Sequence, residues 1–166
     1  MNYLLIKFPN PILKKASEKV QAFSTDELRA LVRDMTETMY SNRGIGLAAN
    51  QIGVRLNVFV LDIGEGPKAF CNCTITKSYG ELQEVEGCLS VDHIHETVKR
   101  FEKVDFDYQD VDGASHKGTA EGLFARAIQH ETDHLAGKLF IDRLSPLKRE
   151  LAFKRAKKLA QFSPQG

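Results

Sequence analysis

Gln129-His130-Glu131-Thr132-Asp133-His134 is the stretch from which the rest of the chain is read. It contains the pattern H-E-x-x-H. On a helix, residues four apart lie one above the other, so His130 and His134 aim two imidazoles at one point. Glu131 stands beside them, within reach of a water on an ion that the two histidines share. Two ligands plus a carboxylate that handles the proton is the arrangement of a metal hydrolase. Two solvated helix-surface histidines would give the same letters. The preceding run Leu123-Phe124-Ala125-Arg126-Ala127-Ile128 is mostly apolar, however, and predicts a buried helix over about residues 121–136, where polar side chains need partners. Gly137 supplies its left-handed stop.

Composition sets the frame around this helix. A length of 166 residues with 42% hydrophobic and 27% charged side chains suits one compact domain, residues 1–166, with a sizeable core. A net charge of +1 argues for neither nucleic acid nor membrane. The patch Leu4-Leu5-Ile6 is too short for a signal-peptide core or a membrane span. Three cysteines are an odd count without disulfide-framework spacing, which points to a reducing compartment, most simply the cytoplasm.

Upstream, residues 1–23 read as a loop-rich arm packed on the domain. Ser24 with Glu27 three residues on reads as a capping box. Leu28, Leu31, Val32, Met35 and Met39 then follow at helical spacing over about residues 25–41. The glycine-containing run 44–53 is no phosphate loop, because it lacks the Lys-Ser/Thr ending. Residues 54–63 are β-rich and nearly continuous in apolar residues, as in a strand covered on both faces. Strands are expected at 68–79 and 81–86. Residues 98–109 read as a strand pair or one long strand, and 115–120 return after a turn at Asp112-Gly113. Cys71 and Cys73, two apart, are expected to share one strand face as small core residues. After the motif helix, Ser145 caps and Pro146 opens a final helix to about Phe162, rich in lysine and arginine. That basic face reads as solvated, with a weak attraction to an anionic surface as the sharper alternative.

Two histidines do not complete a catalytic metal site, which takes three protein ligands and leaves a position open. The metzincin pattern would put a third histidine where Phe140 stands, and phenylalanine cannot ligate. Glu150, the downstream carboxylate, lies in the basic helix. The remaining donors are Cys71, Cys73, Cys88, His93, His95 and His116. Cys88 stands out, between Gly87 and Leu89 at a strand end, because a thiolate binds borderline and soft metals strongly. His93 and His95 share the same spacing as a second pair, but loop histidines are usually solvated.

Three runs occur together and in order: Gly44-Ile45-Gly46-Leu47-Ala48-Ala49-Asn50-Gln51, Glu86-Gly87-Cys88-Leu89-Ser90, and the motif helix's Gln129 to His134. They resemble the signature motifs of the peptide deformylases. The resemblance implies an α+β fold with antiparallel β-sheets around a central H-E-x-x-H helix and the N- and C-terminal helices outside. It implies removal of the N-formyl group from the formylmethionine that begins a nascent polypeptide, releasing formate. Cys88, His130 and His134 would be the metal ligands, and Glu131 the general acid/base for a metal-activated hydroxide. The Gln51 side-chain amide and the Leu89 backbone N–H would face the developing oxyanion. Ile45, Gly46 and Gly87 would hold the substrate backbone, and Ile45, Leu123 and Ala127 would line the methionine pocket. The implied cofactor is one divalent ion, Fe²⁺ in many bacterial members, with Zn²⁺, Ni²⁺ or Co²⁺ as alternatives. A monomer is implied, with a ribosome contact through the basic C-terminal helix as an option and no membrane partner. The rivals are a zincin-like peptidase and an inactive binding homologue. Against the family pattern, His95 stands near where some members carry a substrate-contacting arginine. Cys71-Asn72-Cys73 replaces a proline-bearing run, a change expected to alter a strand end.

Overall fold

The structure, a computed structural model, describes residues 2–162. Helix α1 spans Asp26–Ser41. Its cap is Thr25, which is extended and accepts a hydrogen bond from Leu28 N–H at 3.1 Å. The Ser24–Glu27 capping box is therefore displaced by one residue. Ser24 takes a positive φ of 58° and turns its hydroxyl to Asp112, while Thr25 has the β-region backbone that a cap requires. Leu28, Met35 and Met39 form the buried stripe of this helix.

Strands β1 (Gly46–Ala48), β2 (Val58–Leu61), β3 (Lys68–Tyr79), β6 (Lys103–Gln109) and β7 (Ser115–Glu121) form an antiparallel sheet in the order β1-β2-β3-β6-β7. Strands β4 (Leu82–Cys88) and β5 (Val91–Arg100) form a separate two-stranded sheet. The strand expected over 54–63 shrinks to four residues. Its first part pairs with the N-terminal arm instead: Glu18 N–H donates to the Arg55 carbonyl and Asn57 N–H to the Glu18 carbonyl. The stretch 98–109 divides between the end of β5 and all of β6, and residues 91–97 are strand where none was expected. The left-handed His93, φ 63°, breaks their period-two alternation, so the pattern is unreadable until β4 pairs with it.

Cys71 and Cys73 do not share a face. The register shifts between Cys71 and Thr74, and Asn72 sits at φ 52°. This bulge lies inside β3 rather than at a strand end, and sends the two thiols to opposite sides of the sheet. On one side Cys73 joins Phe59, Leu61, Phe70, Val104 and Phe106 beneath helix α2 (Gly122–Leu135), which contributes Ala125 and Ile128. On the other, Cys71 joins Leu47, Val58 and Val60 beneath α1.

Helix α3 (Pro146–Phe162) lays Ala152 and Ala156 against Val91, Ile94 and Val98 of β5, with Phe8, Leu13 and Phe140 filling between. The motif helix thus lies between the sheet and the β4–β5 hairpin, with α1 and α3 outside. Gly137 ends the motif helix at φ 78°, and a Cβ there would stand 2.5 Å from the Lys14 carbonyl oxygen, so both conformation and crowding require glycine. Among the described residues, no helix is long and apolar enough to cross a membrane.

Candidate active site

Helix α2 brings His130 and His134 onto one face, their Nε2 atoms 3.2 Å apart. Cys88 arrives from the end of β4, and its Sγ lies 3.3 Å from His134 Nε2. The donor atoms of the three residues all lie within 4.8 Å of one another. Donors around a four-coordinate ion with bonds of about 2.0–2.3 Å stand roughly 3.5 Å apart. One thiolate and two imidazoles at this spacing therefore fit a single borderline divalent ion and leave a coordination position open. His93, His95 and His116 are all exposed and lie outside this group, as do Cys71 and Cys73. Phe140 is buried, 1% exposed, in the turn after the helix, where it packs in the α3 core.

Behind the histidines lies a buried charge network. His130 Nδ1 faces Glu86 Oε2 at 3.6 Å, the carboxylate–histidine backing that fixes which ring nitrogen points forward. Arg100 grips both oxygens of Glu86, at 2.9 and 3.0 Å, and reaches Asp133 at 2.7 Å. Arg143 closes the chain on Asp133 at 2.6 and 3.0 Å. Burial works to raise the Glu86 carboxyl, but its hydrogen bonds to His130 and Arg100 win and hold it down at about 2. Burial, with the His130 charge beside it, pushes His134 well below the usual imidazole range. At His130 burial acts the same way and is outweighed by Cys88 and Glu86, which hold it well above. Burial pushes the Glu131 carboxyl up to about 7. Among the described residues, Glu131 Oε2 and His134 Nδ1 are buried without a hydrogen-bond partner, and an unsatisfied buried oxygen beside a metal-type donor set suits a water.

The 3₁₀ turn Ala49–Ile52 presents Gln51. Its Oε1 accepts from Ala48 N–H at 2.9 Å. That fixes the amide with Nε2 forward, 3.1 Å from Ser90 Oγ and 3.7 Å from Cys88 Sγ. Asn50 secures the same turn to the motif helix by donating to the His134 carbonyl at 2.6 Å. One cleft of about 380 Å³ opens over these atoms. Gln51, Cys88, Leu89, His130 and Glu131 line it, and so do Ile45, Gly46, Gly87, Leu123 and Ala127. His134 lies behind, 1% exposed.

The cleft has an open strand edge. Asp62 N–H donates to the Ile45 carbonyl at 2.8 Å, so that carbonyl is used within the sheet. The next residue, Gly46, pairs across from Leu61 as a non-hydrogen-bonded pair and directs its N–H and C=O to the free edge of β1. A Cβ at Gly87 would lie 2.8 Å from the His95 ring. Ile45, Leu123 and Val85 stand 47%, 55% and 63% exposed around the cleft, apolar area of the kind that marks a binding site.

Sequence reasoning missed Glu86, Arg100, Ser90 and Val85. Glu86 and Ser90 sit inside a quoted motif, but nothing local says that a carboxylate will back a histidine 44 residues away in the numbering. Gln129 has a structural duty: its amide donates to the Phe101 carbonyl at 2.9 Å and accepts from Phe101 N–H at 3.0 Å, holding the β5–β6 turn.

Comparison with known proteins agrees with this geometry. Residues 3–150 match the family described as polypeptide deformylase. The chain is 46% identical over 160 residues to a peptide deformylase of Acidobacterium capsulatum, covering 93% of this chain and 94% of that one. It is 47% identical over 160 residues to one of Hyphomonas neptunium, covering 93% and 91%. A crystal structure of a Legionella pneumophila peptide deformylase superposes with a TM-score of 0.91 at 40% identity, covering 100% of this chain and 99% of that one. The Thermus thermophilus peptide deformylase structure gives 0.91 at 36% identity, covering 98% of each. On the three motifs, the donor cluster and these likenesses together, the chain belongs to the polypeptide deformylase family.

Proposed function

We propose that this chain removes the formyl group from the N-terminal formylmethionine of nascent polypeptides and releases formate. The observation that carries the reading is the meeting of one thiol, two imidazoles and a partnerless buried carboxylate oxygen in a single cleft of a deformylase-family chain. Cys88, His130 and His134 are the residues that would hold one divalent ion. Such an ion supplies Lewis acidity and makes water nucleophilic near neutral pH.

The chain's own groups do the rest. Glu131 takes the water proton and returns it to the leaving amine, and a carboxyl pushed up to about 7 suits both directions. Gln51 Nε2 and Leu89 N–H donate to the formyl oxygen as it gains charge. The free edge at Gly46, opposite Gly87, receives the peptide as an added strand. Ile45, Leu123 and Ala127 take the unbranched methionine side chain. A formyl carbon bears only hydrogen, so a narrow site admits it and excludes bulkier acyl groups.

The ion is Fe²⁺ in this reading, with Zn²⁺, Ni²⁺ and Co²⁺ as substitutes that the same donors accept. The chain works as a single-domain monomer in the cytoplasm. Lys148, Arg155 and Lys158, exposed along one side of α3, form a cationic face suited to ribosomal phosphate.

The test compares formyl-Met-Ala-Ser with the unformylated peptide, following formate release and any internal cleavage by mass spectrometry. Formate from the first and no cleavage of either is expected; internal cleavage would replace this reading with that of a peptidase. Glu131→Gln should keep its metal and lose roughly 10²–10⁴-fold in turnover, the range for a general acid/base. Near-normal turnover would remove Glu131 from its role.

A further inference from the structure

The N-terminal arm touches the site from behind. Ile6 N–H donates to the Gln51 carbonyl at 2.7 Å, and Phe8 N–H donates to the Ser90 carbonyl at 2.8 Å. Between them, Lys7 Nζ donates to the Leu89 carbonyl at 2.6 Å and pairs with Asp92 at 2.9 Å. The Leu89 carbonyl and the Ser90 N–H belong to one peptide unit. That N–H donates to Cys88 Sγ at 3.4 Å.

A continuous line therefore runs from an ammonium, through one conjugated amide, to the sulfur. The amide shares its electrons across oxygen, carbon and nitrogen. A cation on its oxygen draws density from its nitrogen, and hydrogen bonds linked in a chain polarise one another. The Lys7–Asp92 pair is worth little by itself, because the two side chains are 44% and 43% exposed. Its placement matters instead, since Asp92 holds the ammonium against the carbonyl.

We propose that Lys7 is a positioning residue for deformylation. Its ammonium polarises the Leu89–Ser90 peptide, strengthens the Ser90 N–H bond to the thiolate, and limits the electron density that Cys88 gives to the metal. The proposal rests on Cys88 being a metal ligand. A less donating thiolate leaves the ion a stronger Lewis acid, so Lys7 aids the activation of water without touching substrate.

The test uses the full-length protein loaded with Co²⁺, whose thiolate-to-metal charge-transfer band reports on sulfur donation. Lys7→Met is expected to shift that band to longer wavelength. It should lower kcat roughly ten-fold, the low end for partners that act on ligands, with KM changed by less than about two-fold. Lys7→Arg, which keeps the cation, should restore both band and rate. A band unmoved in Lys7→Met overturns the proposal, and so does a Lys7→Arg variant shifted as far as Lys7→Met, since charge would then not be the cause. Absence of any such band in the unaltered protein would instead strike at Cys88 as a ligand, and so at the reading beneath.

Discussion

Gly46→Ala offers a sharp test of the site, because the crowding can be worked out atom by atom. A Cβ built at Gly46 stands 2.6 Å from Glu131 Oε1, 3.1 Å from Glu131 Cδ and 2.7 Å from Leu61 Cδ2. Cβ atoms essentially never approach within 3.0 Å, so the carboxylate must retreat by at least several tenths of an ångström. Leu61, 3% exposed, can turn its methyl only within the core, and the carboxylate of Glu131 can retreat only along the cleft that it lines, away from the place from which it would act. Misplacing a reacting group by about 1 Å costs on the order of 10²-fold. The expected result is a kcat on formyl-Met-Ala-Ser lowered roughly 30- to 100-fold, with metal content unchanged, and overpacking that costs about 1–3 kcal/mol in stability. Gly44→Ala is the internal comparison. Its Cβ would press to 2.6 Å on Leu89 Cδ1, a side-chain methyl that can yield while the Leu89 N–H stays in place. It should lose far less activity. Steady-state kinetics, metal analysis and thermal melting on both variants decide the matter. A Gly46→Ala enzyme within two-fold of the parent, folded and metal-loaded, would refute the claim that Glu131 acts from the position described.

Arg100→Leu removes the hub between Glu86 and Asp133, leaving two buried carboxylates with fewer partners. Breaking a buried pair costs about 3–5 kcal/mol, or roughly 10 °C in melting temperature at this chain length; calorimetry showing a drop under about 3 °C would contradict it. Burial pushes the Cys71 thiol up to about 11 and Cys73 to about 12, so in the metal-free folded protein at pH 8 an alkylating reagent should modify half-buried Cys88 and spare the other two, as read by peptide mass spectrometry. The same two thiols link stability to alkali. Their folded values lie above the unfolded value of 9.0, so their contribution is intact below pH 9 and falls as pH rises from there to about 11, by roughly 1.4 kcal/mol per pH unit for each. Denaturant melts from pH 8 to pH 10.5 test this, and a flat midpoint would count against the burial argument.

The parts legible in the chain were those carried by local rules. The motif helix ended where Gly137 required it, and the two imidazoles met because helical spacing is invariant. The α1 cap slipped by one residue because Ser24 and Thr25 offer the same hydroxyl chemistry and only the backbone distinguishes them. The strand at 91–97 was hidden because its one left-handed residue spoils the alternation on which a strand is recognised. Two-residue spacing puts Cys71 and Cys73 on one face, and the bulge that separates them leaves no mark in spacing.

By itself, then, the sequence determined the chemistry on offer: an H-E-x-x-H helix, a cysteine at a strand end, an amide-bearing glycine loop, and a chain long enough to bury them. Only the tertiary structure decided how those pieces serve one another. The pairing of Glu86 with His130, the Arg100–Asp133–Arg143 chain, the contact of Gly46 with Glu131 and the reach of Lys7 to Leu89 each join segments far apart in the chain. The physical reason is that periodicity and capping act within a turn or a strand, whereas a buried charge finds its partner through packing, which no local pattern encodes.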